Sequence, residues 1–186
     1  LPLLFFQDAF NLNSVILGVG DAVDTIPFRQ ISIEGLKNVD LVLWNRYSYG
    51  GSSIDGFYFL YPITFILDLI FPIVLSNNLS LLLQYSLAGI FFYLFLNEYK
   101  LSKLASFAGG LIFMFSGLIV AGKSYSMYQT IIWFPLVLLF LEKYRKSKRI
   151  EFVLISSIFY SISLIGHMQI FFYGSIVVFL FILFCA

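Results

Sequence analysis

Residues 152–186 run for 35 positions without an Asp, Glu, Lys or Arg. As one helix such a run is about 52 Å long, far beyond the ~30 Å hydrocarbon core of a bilayer. It therefore turns. Its one polar break, "GHMQ" at 166–169, divides it into two apolar helices at about 152–165 and 169–186. Upstream, 79–99, 104–122 and 127–141 are further apolar stretches, near the roughly 17–25 residues that a span takes. The second of these is rich in small residues ("ASFAGG", "SGLIVAG") that let helices approach closely, and the third contains Pro135. The whole chain is 60% hydrophobic and 11% charged, against about 45–50% and 25% for soluble domains. The expected fold is an all-α integral membrane protein, a multi-pass bundle with five transmembrane helices over 79–186.

Charge placement orients that bundle. Lys100 and Lys103 lie in one short turn, and Lys143, Arg145, Lys146, Lys148 and Arg149 in another, two spans away. Basic residues in short loops mark the cytoplasmic side. The turns "AGKSYSMYQ" and "GHMQ" then lie outside. Residues 1–56 carry six acids and three bases, a balance of −3, and read as a large first extracytoplasmic loop containing an interfacial helix. The net charge of +1 gives no support for a nucleic-acid partner. A single cysteine, Cys185, excludes an intrachain disulfide, and no Cys/His cluster offers a zinc site. The chain starts at Leu1 and stops inside an apolar run, which reads as a piece of a longer protein.

The segment 57–78 is the ambiguous one. Its core, "FYFLYPITFILDLIFPIVL" at 57–75, is long enough to span but holds Pro62, Pro72 and Asp68. A lone carboxylate at mid-bilayer costs roughly 2.5–3.5 kcal/mol, and each proline removes a helix donor. The expectation is an interfacial or re-entrant helix that does not cross.

Two carboxylates, Asp21 and Asp24, stand in "GVGDAVDTIPFRQ". "DTIP" reads as a helix start, with Asp24 as cap and Pro27 in the first turn. Beyond it Phe28, Ile31, Leu36 and Val39 share a face opposite Gln30, Glu34 and Lys37, the pattern of a helix on a membrane surface. A capped surface helix accounts for Asp24. It accounts less well for Asp21, which precedes the cap beside Gly20, though on residue chemistry alone it is the favoured reading of both.

The wider context, "GDAVDTIPFRQ…LWNRYSYGGSSIDGFYFLYP", resembles the first extracytoplasmic loop of bacterial YfhO-like membrane proteins, of the GT-C class of polyprenyl-phosphate-dependent glycosyltransferases. The matching positions are Gly20-Asp21, Pro27, Trp44-Asn45, Gly50-Gly51 and Tyr61-Pro62. Later come "FSG" at 115–117, "WFPL" at 133–136 followed by Glu142, and "GHMQ", where the family has Gly-His-Pro-Gln and this chain has Met168 instead of proline. The resemblance implies a GT-C-like fold and Asp21 as the catalytic carboxylate, taking the proton of an acceptor hydroxyl that attacks the sugar. It implies a polyprenyl-phosphate sugar donor and an extracytoplasmic acceptor such as a cell-envelope polymer. The departing phosphate needs cations or donors. Arg29, Lys123 and His167, with Gln169 beside it, are the candidates on the outer side. Asp24 is a secondary candidate for holding a divalent metal such as Mg or Mn.

Bland readings stand beside these. Trp44 and the tyrosines suit an interfacial belt, Lys123 a snorkelling helix end, and His167 a tight turn. The competing function classes are a transporter or lipid flippase, which would place ionisable groups within the spans, and an assembly subunit without catalysis.

Overall fold

A computed structural model describes residues 22–40, 42, 44–45, 50–53, 60–122 and 127–185, together with Pro2. The chain is mostly helical and divides into two compact units, Leu1–Leu82 and Leu83–Ala186.

In the first unit, α1 covers Ala22–Lys37. It begins two residues before Asp24, so that Asp24 falls in the first turn rather than at the cap, and Pro27 lies inside the helix. An acid in the first turn suits the positive end of the helix dipole, while Pro27 leaves one carbonyl of the preceding turn without its donor. The buried stripe is also rotated from expectation. It runs through Arg29, Ser32 and Ile33, whereas Phe28 and Ile31 are half-buried and Val39 is exposed beyond the helix end. After α1 the chain doubles back. A Cβ on Gly35 would lie 2.7 Å from the Asp40 carbonyl oxygen, and the Asp40 amide donates to the Gly35 carbonyl at 2.8 Å.

Two short strands follow, β1 (Trp44–Asn45) and β2 (Ser52–Ser53), paired antiparallel with Trp44 opposite Ser53. Gly50 and Gly51 adopt positive φ, 73° and 110°. At Gly51 a Cβ would also meet the Trp44 ring at 2.8 Å. Two motif pairs that are separate in sequence, Trp44-Asn45 and Gly50-Gly51, thus meet in one hairpin, with Asn45 buried.

Helix α2 (Pro62–Ile70) starts on its proline, and α3 (Ile73–Glu98) follows directly. Between them Phe71 is extended (φ −114°, ψ 158°), the conformation that Pro72 imposes on its predecessor. Nine residues of α2 span about 13 Å, so the backbone of 60–75 is broken rather than one straight helix. α3 begins six residues before position 79, where the sequence placed the helix start.

The second unit holds α4 (Lys103–Met114), α5 (Gly117–Gly122), α6 (Tyr128–Ile131), α7 (Phe134–Ser147), α8 (Glu151–Ile165) and α9 (Met168–Cys185). The apolar stretches 104–122 and 127–141 are each interrupted, after Met114 and after Ile131. α7 continues through most of the basic turn and ends at Lys148 in the left-handed conformation. Trp133 stacks on Phe159 at 5.7 Å, and Phe159 on Phe140 at 5.7 Å, which joins α7 to α8. Among the described residues two stretches are long and apolar enough to cross a membrane, α3 with 26 residues and 103–121 with 19. Large apolar side chains stand exposed along α4, α8 and α9, among them Leu104, Ile112, Ile158 and Phe184.

The small residues of 104–122 do what their size permits. Gly110 lies so close to α3 that a Cβ would come within 2.7 Å of the Gly89 carbonyl oxygen, and Phe92 stacks on Phe113 at 4.5 Å. Gly110→Val is expected to destabilise by about 1–3 kcal/mol through overpacking. Gly117→Ala, with open space at its Cβ position, serves as the comparison. Thermal unfolding in detergent should show the larger loss for Gly110→Val; equal losses would refute the close-approach account.

Candidate functional site

Asp21 and Lys123 lie outside the described residues, and so does the side chain of Asp24. Arg29 belongs to the first unit, His167 and Gln169 to the second.

Arg29 is the most completely engaged of the candidates. Its Nε donates to Asp68 Oδ2 at 3.0 Å and its Nη2 to Asp68 Oδ1 at 2.6 Å, a bidentate pair. Nη1 donates to Asn77 Oδ1 at 3.1 Å, and Ser76 Oγ donates to Asp68 Oδ1. Both ions are buried, at 8% and 2% exposure. The planar fork of a guanidinium matches a carboxylate in this way, and charge-assisted bonds of this kind are the strong ones. The pairing ties α1 to α2 and to the first turn of α3. It also gives Asp68 a countercharge, and gives Arg29 a carboxylate that competes with any phosphate. Arg29 and Asp68 were separate features in the sequence; the fold makes them one.

His167 sits in the turn between α8 and α9. Its amide donates to Thr130 Oγ1 at 2.5 Å. Gly166 permits this contact, since a Cβ there would lie 3.0 Å from the Thr130 amide nitrogen and 3.2 Å from the Gln129 carbonyl carbon. Among the described residues the imidazole Nδ1 is buried without a hydrogen-bond partner, and so is Gln129 Oε1. Buried polar atoms are nearly always bonded, so two orphans on adjoining segments mark a place with unmet hydrogen-bonding capacity. Gln129 is a residue that the sequence reading missed. The visible signal was a lone amide at the end of a polar turn, just before an apolar stretch. Gln169, by contrast, is exposed and donates to the Tyr173 hydroxyl at 3.2 Å.

Glu142, six positions beyond the "WFPL" motif, is buried at 1% exposure. It accepts from Arg145 Nη2 at 2.7 Å and Nε at 2.8 Å, with Lys146 at 3.4 Å and the Tyr99 hydroxyl at 3.4 Å. Lys146 also reaches Glu98 at 3.0 Å. Hydrogen bonding from Arg145 holds the Glu142 carboxyl below its ordinary value of 4.5, against the opposing effect of burial. A depressed carboxylate contributes stability that is present above its unfolded pKa and lost as pH falls through the folded one. The melting temperature is therefore expected to fall as pH drops below 4.5, and to fall less in Glu142→Gln. Identical pH profiles of the two proteins would exclude this contribution.

Among the described residues no three His, Cys, Asp or Glu side chains come together as a metal set. No family model, no curated protein and no solved structure matches the chain.

Proposed function

We propose that the chain is part of a multi-pass membrane glycosyltransferase of the GT-C type, with its site on the extracytoplasmic side. The acceptor hydroxyl attacks the anomeric carbon of a polyprenyl-phosphate sugar, Asp21 takes the hydroxyl proton, and the bond from that carbon to the phosphate oxygen breaks with its electron pair leaving on the polyprenyl phosphate. The observation that supports this reading best is the anchoring of α1. A general base must be held within hydrogen-bond reach of its proton, and sites are most effective on rigid supports. The helix that begins at the residue after Asp21 is fixed by the buried Arg29–Asp68 pair. In this reading Arg29 is a positioning residue. The candidates that the resemblance gives for meeting the leaving phosphate are Lys123, His167 and Gln169. A divalent ion at Asp24 is a secondary feature of the proposal.

A transporter or lipid flippase is the second reading, and one observation favours it. Broken helices and paired ionisable groups are features of transport sites, and Asp68 with Arg29 lies just before the break at Phe71 and Pro72. Substrate flux without transfer of sugar would establish it.

Sidedness tests both readings at once. Cysteine introduced at Ser52 is expected to label from outside intact cells, and cysteine at Ser147 only after permeabilisation. The reverse result would put Asp21 on the wrong side for an extracytoplasmic acceptor.

A further inference from the structure

The geometry points to a binding site for an anionic phospholipid in the groove between α7, α8 and α9, with the lipid phosphate on the basic end of α7. The inference rests on the membrane reading but not on the transferase chemistry. Two adjoining cavities, of about 320 and about 350 Å³, share Leu141, Val153 and Ile182 as common wall. The polar side chains of the second cavity are already satisfied. Ser156 donates to the Val137 carbonyl at 3.0 Å, Ser157 to the Val153 carbonyl at 2.9 Å, and Ser175 to the Phe171 carbonyl at 2.7 Å while bonding the Tyr160 hydroxyl at 2.7 Å. With these side chains already bonded, this part of the groove suits a hydrocarbon chain.

One end of the groove is charged. Arg145 and Lys148 line the first cavity. Arg145 is paired with Glu142, and Lys146 with Glu98 and Glu142. Lys143 and Lys148 have no carboxylate partner among the described residues; they lie over aromatic rings, Lys143 over Phe140 at 5.4 Å and Lys148 over Tyr144 at 5.8 Å. An uncompensated lysine at the mouth of an apolar groove, within a turn of five basic residues, complements a lipid with one acyl chain in the groove and a phosphate at its end. Each lysine near an anionic membrane surface favours binding about five-fold. A neutral zwitterionic lipid gains little of this, because its own ammonium offsets the phosphate.

The test uses the full-length protein in phosphatidylcholine nanodiscs. Each disc holds a small, equal fraction of photoreactive phosphatidylglycerol or photoreactive phosphatidylcholine, with a diazirine in the acyl chain. The expected result is labelling of the peptides containing Val153 and Ile182 about five-fold more by phosphatidylglycerol than by phosphatidylcholine. Lys148→Gln should abolish most of that preference and leave phosphatidylcholine labelling unchanged, which shows that the variant is folded. Equal labelling by the two lipids, or a preference that survives Lys148→Gln, overturns the site. If neither lipid labels the groove while Leu104 and Ile112 on α4 are labelled, another protein segment fills it and the proposal fails alone. If no helix is labelled, the proposal fails together with the membrane reading.

Discussion

Arg29→Met is expected to destabilise the first unit by about 3–5 kcal/mol, because it leaves the Asp68 carboxylate buried without its countercharge. Asp68 is 2% exposed and held between the guanidinium and Ser76. Asp68→Leu is expected to do comparable damage, by stranding the guanidinium instead. The double variant, Arg29→Met with Asp68→Leu, removes both ions and replaces them with side chains of similar volume. Substitutions of that kind at buried pairs are often neutral or stabilising, so the double variant should recover most of the loss. Thermal unfolding of the four detergent-purified proteins forms a double-mutant cycle. Strict additivity of the two losses would show that the pair does not act as a unit, and the anchoring of α1 would lose its basis.

The same pair shows where sequence reasoning stopped. Proline and glycine punctuation was readable. The break at Phe71–Pro72 and the turn at Gly166 follow from local backbone chemistry, which depends on a few neighbouring residues. The contact of Arg29 with Asp68 spans 39 positions, and nothing in either local pattern announces the other. Its consequences spread from there. The face of α1 that is buried carries Arg29 beside Asp68, and not the Phe28–Ile31–Leu36–Val39 stripe. The run "SNNLS" at 76–80 is polar, and the apolar stretch counted from position 79 starts the helix too late. In the fold its polar atoms face inward, where Ser76 and Asn77 complete the Arg29–Asp68 network, so the helix runs through them. Of the two sequence arguments about 57–75, the proline argument anticipates a broken helix, and a break is seen at Phe71–Pro72. The lone-carboxylate argument loses its premise, since Asp68 is paired.

The candidate site was legible only as a set of short motifs. The hairpin gives the Trp44-Asn45 and Gly50-Gly51 matches a common physical cause, since only a residue without Cβ fits between the turn and the Trp44 ring. The orphaned Nδ1 of His167 gives the "GHMQ" turn a chemical capacity that spacing alone did not reveal. Gln129, supplied by a different segment, was out of reach because only the tertiary fold sets it beside Gly166.

Asp21 carries the central claim. It is the residue before α1, beside Gly20, and it aligns with the Gly-Asp of the resemblance. Asp21→Asn keeps the size and shape of the side chain and removes its capacity to take a proton. Loss of a general base costs on the order of 10²–10⁴ in rate. Asp24, in the first turn of α1, is expected to contribute about 0.3–1 kcal/mol through the helix dipole, so Asp24→Asn should retain most activity. The decisive measurement is the rate of sugar transfer from a labelled polyprenyl-phosphate sugar, with full-length wild type, Asp21→Asn and Asp24→Asn in membranes at matched expression. The account predicts transfer by wild type, a loss on the order of 10²–10⁴ in Asp21→Asn, and near-normal transfer in Asp24→Asn. Equal transfer by wild type and Asp21→Asn, or no transfer by wild type from any such donor, would contradict it.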